Sequence, residues 1–284
     1  MVHRAFRAMG TDVELFLDST DATTLLAEAE DEFHRVESLL SRFRPASELS
    51  RLNRTRAMQV GPELLELAQL SLEARDQSGG RFDPTVYDAL VAAGYDRSFE
   101  LVAATAVVAA EPARCSGHVT VDVASSTIVL ESGFRLDFGG IAKGWTADRA
   151  LALLERGGPA LVNAGGDIAS AGRAWPIGVE TPDGEITLEL DGGALATSGR
   201  DRRRWRQGDA SQHHVIDPST GKPAEGELLR VTTVARTATE AEVLAKSLFL
   251  RADAAAAAVE ADERCAPTIL VTRDGRTLLA GGLA

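Results

Sequence analysis

The feature that most constrains the fold of this chain is the spacing of its apolar residues, which have a period of two in some segments and of three to four in others. Val13, Leu15 and Leu17 alternate with other residues, as in a half-buried strand. From Leu26 to Leu40 an apolar side chain instead recurs every three or four positions, which predicts an amphipathic helix. The two patterns do not form a regular βαβ repeat. We therefore predict an α+β fold with mixed, mainly antiparallel sheets and packed helices, and no Rossmann domain.

Turn-forming residues set the bounds of further elements. Gly61-Pro62 begins a predicted helix that Gly79-Gly80 ends, and Asp83-Pro84 introduces a short helical stretch. Alternating or short apolar runs predict strands at Val119 to Val123, Ile128 to Leu130, Leu136 to Phe138 and Ile186 to Leu190, the last ending in a turn at Asp191-Gly192-Gly193. Helices are predicted from about Ile141 to Arg156, from a Thr239 cap to about Leu250 and over Ala252 to Ala261, with a hairpin turn at Asp274-Gly275.

The charge of the chain excludes some classes of partner. Its 284 residues contain 30 Lys and Arg against 42 Asp and Glu, a formal net charge of −12, and such a surface repels phosphate backbones and anionic lipids. We therefore expect neither nucleic-acid binding nor membrane insertion, and the apolar run Leu101 to Ala110 is only half a membrane span. The N-terminus lacks the apolar core of a signal peptide and the two cysteines form no CxxC pair, so we expect a cytoplasmic protein with reduced thiols.

One segment predicts an anion site from local features. The run Leu136 to Ala150 places Asp137 at a strand end, two glycines at a turn, and Lys143 in the first turn of the following helix. Free N–H groups at a helix start bind anions, and a lysine adds positive charge. Glycines are also common in ordinary turns between a strand and a helix, so both interpretations stay open.

Two polar segments further along the chain leave a similar choice. The arginines between Arg200 and Arg206 form a solvated loop or attract an anionic ligand. His213 and His214 precede an Asp217-Pro218 turn. A histidine is more often structural, but one near an anion site suits acid–base chemistry because its ordinary pKa lies near neutral pH.

Eight motifs occur in a defined order and cover nearly the whole chain. They are Met9-Gly10-Thr11, Ser41 to Asn53, Gly79 to Val86, Leu136 to Ala150, Val162 to Ile168, Ala196 to Gly199, His213 to Ala224 and the helix from Thr239. Together they resemble the ApbE family of FAD:protein FMN transferases. The resemblance implies an ApbE-like catalytic domain over residues 1–284, as a single unit or as two intertwined α+β lobes.

The resemblance also implies an activity. Members of this family cleave the diphosphate of FAD, release AMP and attach FMN by a phosphoester bond to a Ser or Thr hydroxyl of an acceptor protein, normally with magnesium. We accordingly expect FAD as a substrate and an acceptor protein as a partner. The alternatives are an FAD diphosphatase, in which water replaces the protein hydroxyl, and an FAD-binding protein without catalysis.

Individual residues take roles from the resemblance. His214 matches the family's proposed catalytic base. The positions that match FAD contacts are Met9, Phe43, Arg44, Pro45, Arg81, Phe82, Asp83, Asp137, Lys143 and Ile216.

The magnesium site implied by the resemblance is altered in this sequence. The family's metal-binding Asp, Thr and backbone carbonyl match Glu242, Lys246 and Gly140. A charged lysine has no lone pair for a metal. Either Glu242 and Gly140 still hold Mg²⁺ with added water, or Lys246 takes over part of the metal's catalytic role, or catalysis is lost. Apart from function, Glu242 and Lys246 form an i,i+4 pair that stabilises a helix.

Overall fold

The computed structural model describes residues 1–20, 22–102 and 111–283. The α-helices of this part of the chain are α1 Ala22–Leu40, α2 Glu48–Thr55, α3 Pro62–Gln77, α4 Tyr87–Ala92, α5 Ala142–Leu154, α6 Ala238–Phe249 and α7 Ala254–Glu263. Its strands are β1 Val2–Ala8, β2 Thr11–Leu17, β3 Ala57–Gln59, β4 Val119–Asp122, β5 Thr127–Leu130, β6 Ala160–Ala164, β7 Asp167–Thr181, β8 Gly184–Gly199, β9 Arg204–Gln207, β10 Ala210–His213, β11 Ile216–Asp217, β12 Lys222–Pro223, β13 Leu228–Ala235, β14 Thr268–Thr272 and β15 Thr277–Ala280. The paired strands run antiparallel, which confirms the predicted α+β class.

Two compact units make up the chain, and each contains several chain segments. The first unit comprises Met1–Glu37, Ile141–Gly199 and Gly226–Ala284, and the second comprises Ser38–Gly140 and Arg200–Glu225. Helix α1 therefore begins in the first unit and ends in the second.

The first unit is built on an eight-stranded sheet in the order β1-β2-β6-β7-β8-β13-β14-β15. Alternate residues of its strands lie on opposite faces, so Val162 joins one buried cluster and Leu161 another. Helices α1, α5 and α6 pack on the Val162 face. This face is rich in alanine, which lets helices lie close to the sheet; the buried alanines are Ala8, Ala22, Ala29, Ala147, Ala150, Ala160, Ala164, Ala169, Ala194, Ala196, Ala238, Ala241 and Ala245.

The predicted turn at Asp191-Gly192-Gly193 is wrong, because β8 continues through it. The β7–β8 register passes from Ser170 opposite Gly193 to Ala174 opposite Asp191, so extra residues are accommodated in β7. Gly192 and Gly193 have φ values of 76° and 82°. Glycine adopts this left-handed backbone at little cost. The glycines therefore allow a β-bulge inside a long strand instead of a chain reversal.

The second unit contains the three-stranded sheet β3-β5-β4 and two small hairpins, β9–β10 and β11–β12. The strand predicted at Leu136 to Phe138 is absent from it, so Asp137 does not lie at a strand end. Instead, the Asn53 side chain donates to the Leu136 carbonyl and accepts its N–H, both at 2.8 Å. Because a side chain satisfies these backbone groups, the segment needs no partner strand.

Most other predicted elements are confirmed, with shifted ends. Helix α3 has Gly61 at its N-cap and Pro62 in its first turn, as predicted. The N-cap of α6 is Thr237 and not the predicted Thr239, because the Thr237 side chain accepts the Glu240 N–H. Helix α2 was not predicted.

The apolar run Leu101 to Ala110 lies largely outside the described residues. Among the residues that are described, no helix combines the length and the hydropathy needed to cross a membrane.

Candidate active-site residues

A buried cluster of charged side chains lies beside the start of β7 in the first unit. The Lys143 ammonium donates to the Asp167 carboxylate and to Oε1 of Glu242. Lys143 lies in the first turn of α5, Asp167 begins β7, and Glu242 lies in the second turn of α6. The Asp167 and Glu242 side chains are only 4% and 5% exposed. Charges this deeply buried require partners, and each has one here.

Helices α5 and α6 can form this cluster because they approach closely at Gly144. A Cβ atom at Gly144 would lie 2.4 Å from the carbonyl oxygen of Ala238, at the start of α6. The Gly144 N–H also donates to Oε2 of Glu242 at 2.9 Å. The glycine therefore provides both the space and a hydrogen bond for the carboxylate.

Asp148 of α5 anchors the N-terminus of α6. Its carboxylate accepts the N–H groups of Ala238 and Thr239 at 2.7 and 2.9 Å, and the Thr239 hydroxyl at 2.6 Å. These contacts satisfy N–H groups that a helix start leaves unpaired and place negative charge at the positive end of the helix. The position of α6, and with it that of Glu242 and Lys246, is set by this anchor.

The electrostatics of the cluster follow from its burial and pairing. Burial by itself lowers the pKa of Lys143, but the attraction of Asp167 and Glu242 outweighs it, so the pKa is raised and Lys143 is charged. Burial and the Glu242 carboxylate raise the pKa of Asp167. The positive charges of Lys143 and, to a smaller extent, Lys246 lower it, but the net shift is upward. Lys246 is half-buried one turn after Glu242. Two lysines and two carboxylates thus form one electrostatic group.

The carboxylate oxygens of this cluster do not form a ready magnesium site. Mg²⁺ binds carboxylate oxygens and water, but Oε1 of Glu242 contacts the Lys143 ammonium and Oε2 accepts the Gly144 N–H. In the part of the chain that the structure describes, no group of three or more Asp, Glu, His or Cys is placed to hold a metal ion. Gly140, the predicted carbonyl ligand, is buried and belongs to the second unit.

Met9, the other predicted FAD contact in the first unit, lies in the turn between β1 and β2. Met9 and Gly10 have φ values of 53° and 69°, as in a two-residue type I′ hairpin. The neighbouring β6–β7 turn contains Gly165, where a Cβ atom would lie only 2.0 Å from the Thr11 hydroxyl oxygen. The two turns are therefore in contact, and Met9 lies at the end of the sheet where Asp167 begins β7.

Arg42 is the centre of a second cluster, in the second unit. Its Nε donates to Oδ2 of Asp137 at 2.7 Å, and its Nη2 donates to the Tyr95 carbonyl at 2.7 Å. Its guanidinium lies 4.2, 5.3 and 4.7 Å from the ring centres of Phe43, Tyr87 and Tyr95. The Arg42 side chain is 4% exposed. The ion pair and the three rings together compensate for the burial of its charge.

Three of the predicted FAD contacts belong to this Arg42 cluster or adjoin it. Phe43 packs against Tyr95 with a ring-centre distance of 5.6 Å, and Asp137 is the ion-pair partner. Ile216 is buried in the same apolar cluster as Tyr95. Aromatic, apolar and carboxylate groups are therefore assembled in one part of the second unit.

The remaining predicted FAD contacts lie on loops of the second unit. Arg44 and Pro45 are exposed, Arg81 is half-buried, and Phe82 and Asp83 are buried. Both oxygens of Asp83 accept hydrogen bonds from within the chain. Oδ1 accepts the N–H and hydroxyl of Thr85, both at 2.7 Å, and Oδ2 accepts those of Ser116 at 2.7 and 3.0 Å. Asp83 therefore joins two loop segments.

His214 follows β10 and precedes a tight hairpin. It is half-buried, whereas its neighbours from 212 to 216 are all buried. In the hairpin Ile216 pairs with Pro223, and Asp217 pairs with Lys222. Oδ1 of Asp217 accepts the N–H and the hydroxyl of Ser219 at 2.8 and 2.7 Å, which closes the turn. The predicted base is thus carried on a backbone that is hydrogen-bonded on its C-terminal side.

Sequence reasoning did not assign roles to Arg42 and Asp167. In the sequence, Arg42 lies inside the Ser41 to Asn53 motif, and Asp167 lies inside Val162 to Ile168. A charged residue inside a motif of turn and apolar residues is the signal that could have found both. Their partners, Asp137 and Lys143, are distant in sequence, so no local spacing indicated the pairing.

The fold and these clusters define an α+β protein whose antiparallel sheet carries a buried lysine–carboxylate group. The chain matches the family model described as the ApbE family over residues 9–268. It therefore belongs to the ApbE family.

Individual relatives agree with this assignment. A protein of Klebsiella pneumoniae (strain 342) named FAD:protein FMN transferase is 27% identical over 247 residues, 80% of this chain and 71% of that protein. A match of 31% over 140 residues to a protein with that name and source spans 46% of this chain and 44% of the relative, less than two thirds of its length. The solved ApbE protein of Thermotoga maritima has a TM-score of 0.88 at 26% identity, covering 98% of this chain and 96% of that one.

Proposed function

We propose that this chain is a transferase that moves FMN from FAD to an acceptor protein. The observation that carries the proposal is its similarity, over most of its length, to proteins named FAD:protein FMN transferase. The family match spans segments of both units, and we accordingly treat the chain as one catalytic domain. Here FAD is a substrate, and the acceptor contributes a Ser or Thr hydroxyl.

The residues of the second unit have the chemistry that a flavin nucleotide requires. Phe43 offers an aromatic face backed by the Arg42 guanidinium, Ile216 offers apolar surface, and the Asp137 carboxylate is held in place by Arg42. Asp137 also accepts the Gly139 N–H at 2.9 Å. We propose that these side chains bind FAD in one orientation.

The transfer step needs a base and a cationic environment for phosphate. In the proposed reaction His214 takes the proton of the acceptor hydroxyl, and the hydroxyl oxygen attacks the FMN phosphorus. A new phosphorus–oxygen bond forms, the bond to the bridging oxygen breaks, and AMP leaves with that oxygen. Such reactions depend mainly on positioning and electrostatics. We propose that the Lys246 ammonium offsets part of the phosphate charge, because the Lys143 ammonium is already paired with Asp167 and Glu242.

A co-expressed acceptor protein gives the direct test of this function. We expect its intact mass to increase by one FMN, on a single Ser or Thr located by peptide mass spectrometry. AMP should appear in equal amount. Release of AMP and FMN from FAD without acceptor labelling would assign the chain as an FAD diphosphatase instead. FAD that stays intact with acceptor present would assign it as an FAD-binding protein without catalysis.

The magnesium dependence of the reaction is tested separately. Both carboxylate oxygens of Glu242 already accept hydrogen bonds, from the Lys143 ammonium and the Gly144 N–H. We expect transfer at similar rates in excess EDTA and in excess magnesium, with the Lys246 ammonium supplying charge that a divalent cation would otherwise bring. Lys246→Thr should then make transfer slower and responsive to magnesium. Arg273→Thr, at an exposed cationic residue of the same unit, is the matched control. Loss of transfer by the wild-type protein in EDTA would show that the reaction still requires the metal.

A further inference from the structure

Among the described residues, His213, which directly precedes the proposed base, is the only buried histidine. The residue is 4% exposed and ends β10. The proposed chemistry uses His214 and gives His213 no part. Its two ring nitrogens nevertheless both make hydrogen bonds, and both partners belong to the backbone.

The ring of His213 bridges the two sides of the β11–β12 hairpin. Its Nδ1 accepts the Val215 N–H at 3.3 Å, and its Nε2 lies 2.9 Å from the Ala224 carbonyl oxygen. A carbonyl only accepts, so Nε2 must carry the proton and Nδ1 must be bare. The backbone closes the same site, because the Ala224 N–H donates to the Val215 carbonyl at 2.9 Å.

We infer that His213 is a positioning residue for the proposed base, because its neutral Nε2–H imidazole holds the backbone that follows His214, at Val215 and at Ala224. The inference rests on the proposed function of His214. Since Val215 is held by both the ring and Ala224, the chain at His214 has little freedom to shift. Small displacements of a catalytic group lower rates strongly.

The surroundings of His213 keep its ring neutral. Burial lowers the pKa of His213 to about 4, and the positive charges of Arg200 and Arg204 act in the same direction, although the Ala224 carbonyl opposes them. Protonation would place a hydrogen on Nδ1, which would then oppose the Val215 N–H. Both hydrogen bonds of the neutral ring are therefore intact at neutral pH.

Three substitutions separate the two hydrogen bonds of the ring. His213→Asn can still accept the Val215 N–H, His213→Gln can still donate to the Ala224 carbonyl, and His213→Ala can do neither. For His213→Ala we expect kcat for FMN transfer to fall by about tenfold or more, with KM for FAD within about twofold of wild type. The Asn and Gln variants should recover part of kcat. His118→Ala, at an exposed histidine of the same unit, should match wild type.

Wild-type kcat in His213→Ala would overturn the inference, as would Asn and Gln variants that fold but transfer no faster than the Ala variant. His214→Ala is measured in parallel: if it retains activity, the proposed base is wrong, whereas its inactivity beside a fully active His213→Ala rejects only the positioning role.

A measurement on the wild-type protein remains informative even if the variants do not fold. Ring ¹⁵N chemical shifts at neutral pH should identify His213 as the Nε2–H tautomer; an Nδ1–H or charged ring would overturn the inference. The unfolded state has the ordinary histidine pKa near 6.5, so it binds a proton that the folded state rejects. The midpoint of thermal unfolding should therefore fall as pH decreases from about 6.5 to 4. This His213 contribution should be missing in the Asn variant.

Discussion

His214→Ala is expected to lower the rate of FMN transfer by about 10²- to 10⁴-fold, the usual contribution of a general base. FAD affinity should change little, because the Arg42 cluster with Phe43 and Asp137 is untouched. Transfer is measured as the intact-mass gain of the acceptor, and FAD affinity as the change in flavin fluorescence on binding. His118→Ala serves as the control, since His118 is exposed.

Measuring FAD binding and acceptor labelling together distinguishes a catalytic base from a residue that only binds substrate. A His214→Ala protein that binds FAD normally and still labels the acceptor at more than a tenth of the wild-type rate would reject the base assignment. Loss of FAD binding together with transfer would instead place His214 in substrate binding.

Lys143→Met is expected to destabilise the first unit strongly. It removes the ammonium shared by Asp167 and Glu242 and leaves two buried carboxylates facing each other. Breaking a buried ion pair from one side costs about 3–5 kcal/mol. The free energy of unfolding, measured in urea, should fall by that amount at neutral pH. Lys222→Met, at an exposed lysine, should change it by less than about 0.5 kcal/mol.

The pH dependence of the Lys143→Met variant provides a further check. Without Lys143, burial and the repulsion of the Glu242 carboxylate raise the folded-state pKa of Asp167 unopposed by that lysine, so the folded state takes up a proton more readily than the unfolded state. Its stability relative to wild type should therefore recover as pH falls from 8 towards 5, by about the size of the lost interaction. Adding Asp167→Asn should restore part of the stability at pH 8. An unchanged free energy of unfolding in Lys143→Met would contradict the buried cluster.

Local patterns were sufficient for most of the fold. The alternation of Val13, Leu15 and Leu17 predicts β2 correctly, because alternate residues of a strand lie on the same face and these three are buried. Gly192-Gly193 misled the prediction, because a left-handed glycine serves a bulge as well as a turn, and only the register of the partner strand distinguishes the two. Likewise, the apolar residues Leu136 and Phe138 are buried without forming a strand, since Asn53 satisfies the Leu136 backbone.

The candidate site was predictable only in part. Family motifs indicated Lys143 and Glu242, but not that they bind each other, because 99 residues separate them. Nothing local shows that Gly144 brings α5 against α6 or that Asp148 anchors the start of α6. These are tertiary contacts, and they turn a predicted anion site into a lysine held between carboxylates.

The strand order of the first unit has a consequence for how the protein is made. Strands β6, β7 and β8 are consecutive neighbours and can pair as soon as they are synthesised, but β8 receives its second neighbour, β13, only after the whole of Arg200–Glu225 has followed. Until then residues 194–199 of β8, which later pair with β13, have one open edge, and such an edge is the kind of surface through which nascent chains associate. Helix α6, which carries Glu242, is also made only after β13. On the ribosome, this edge of β8 is therefore exposed before the residues that complete the lysine–carboxylate cluster exist.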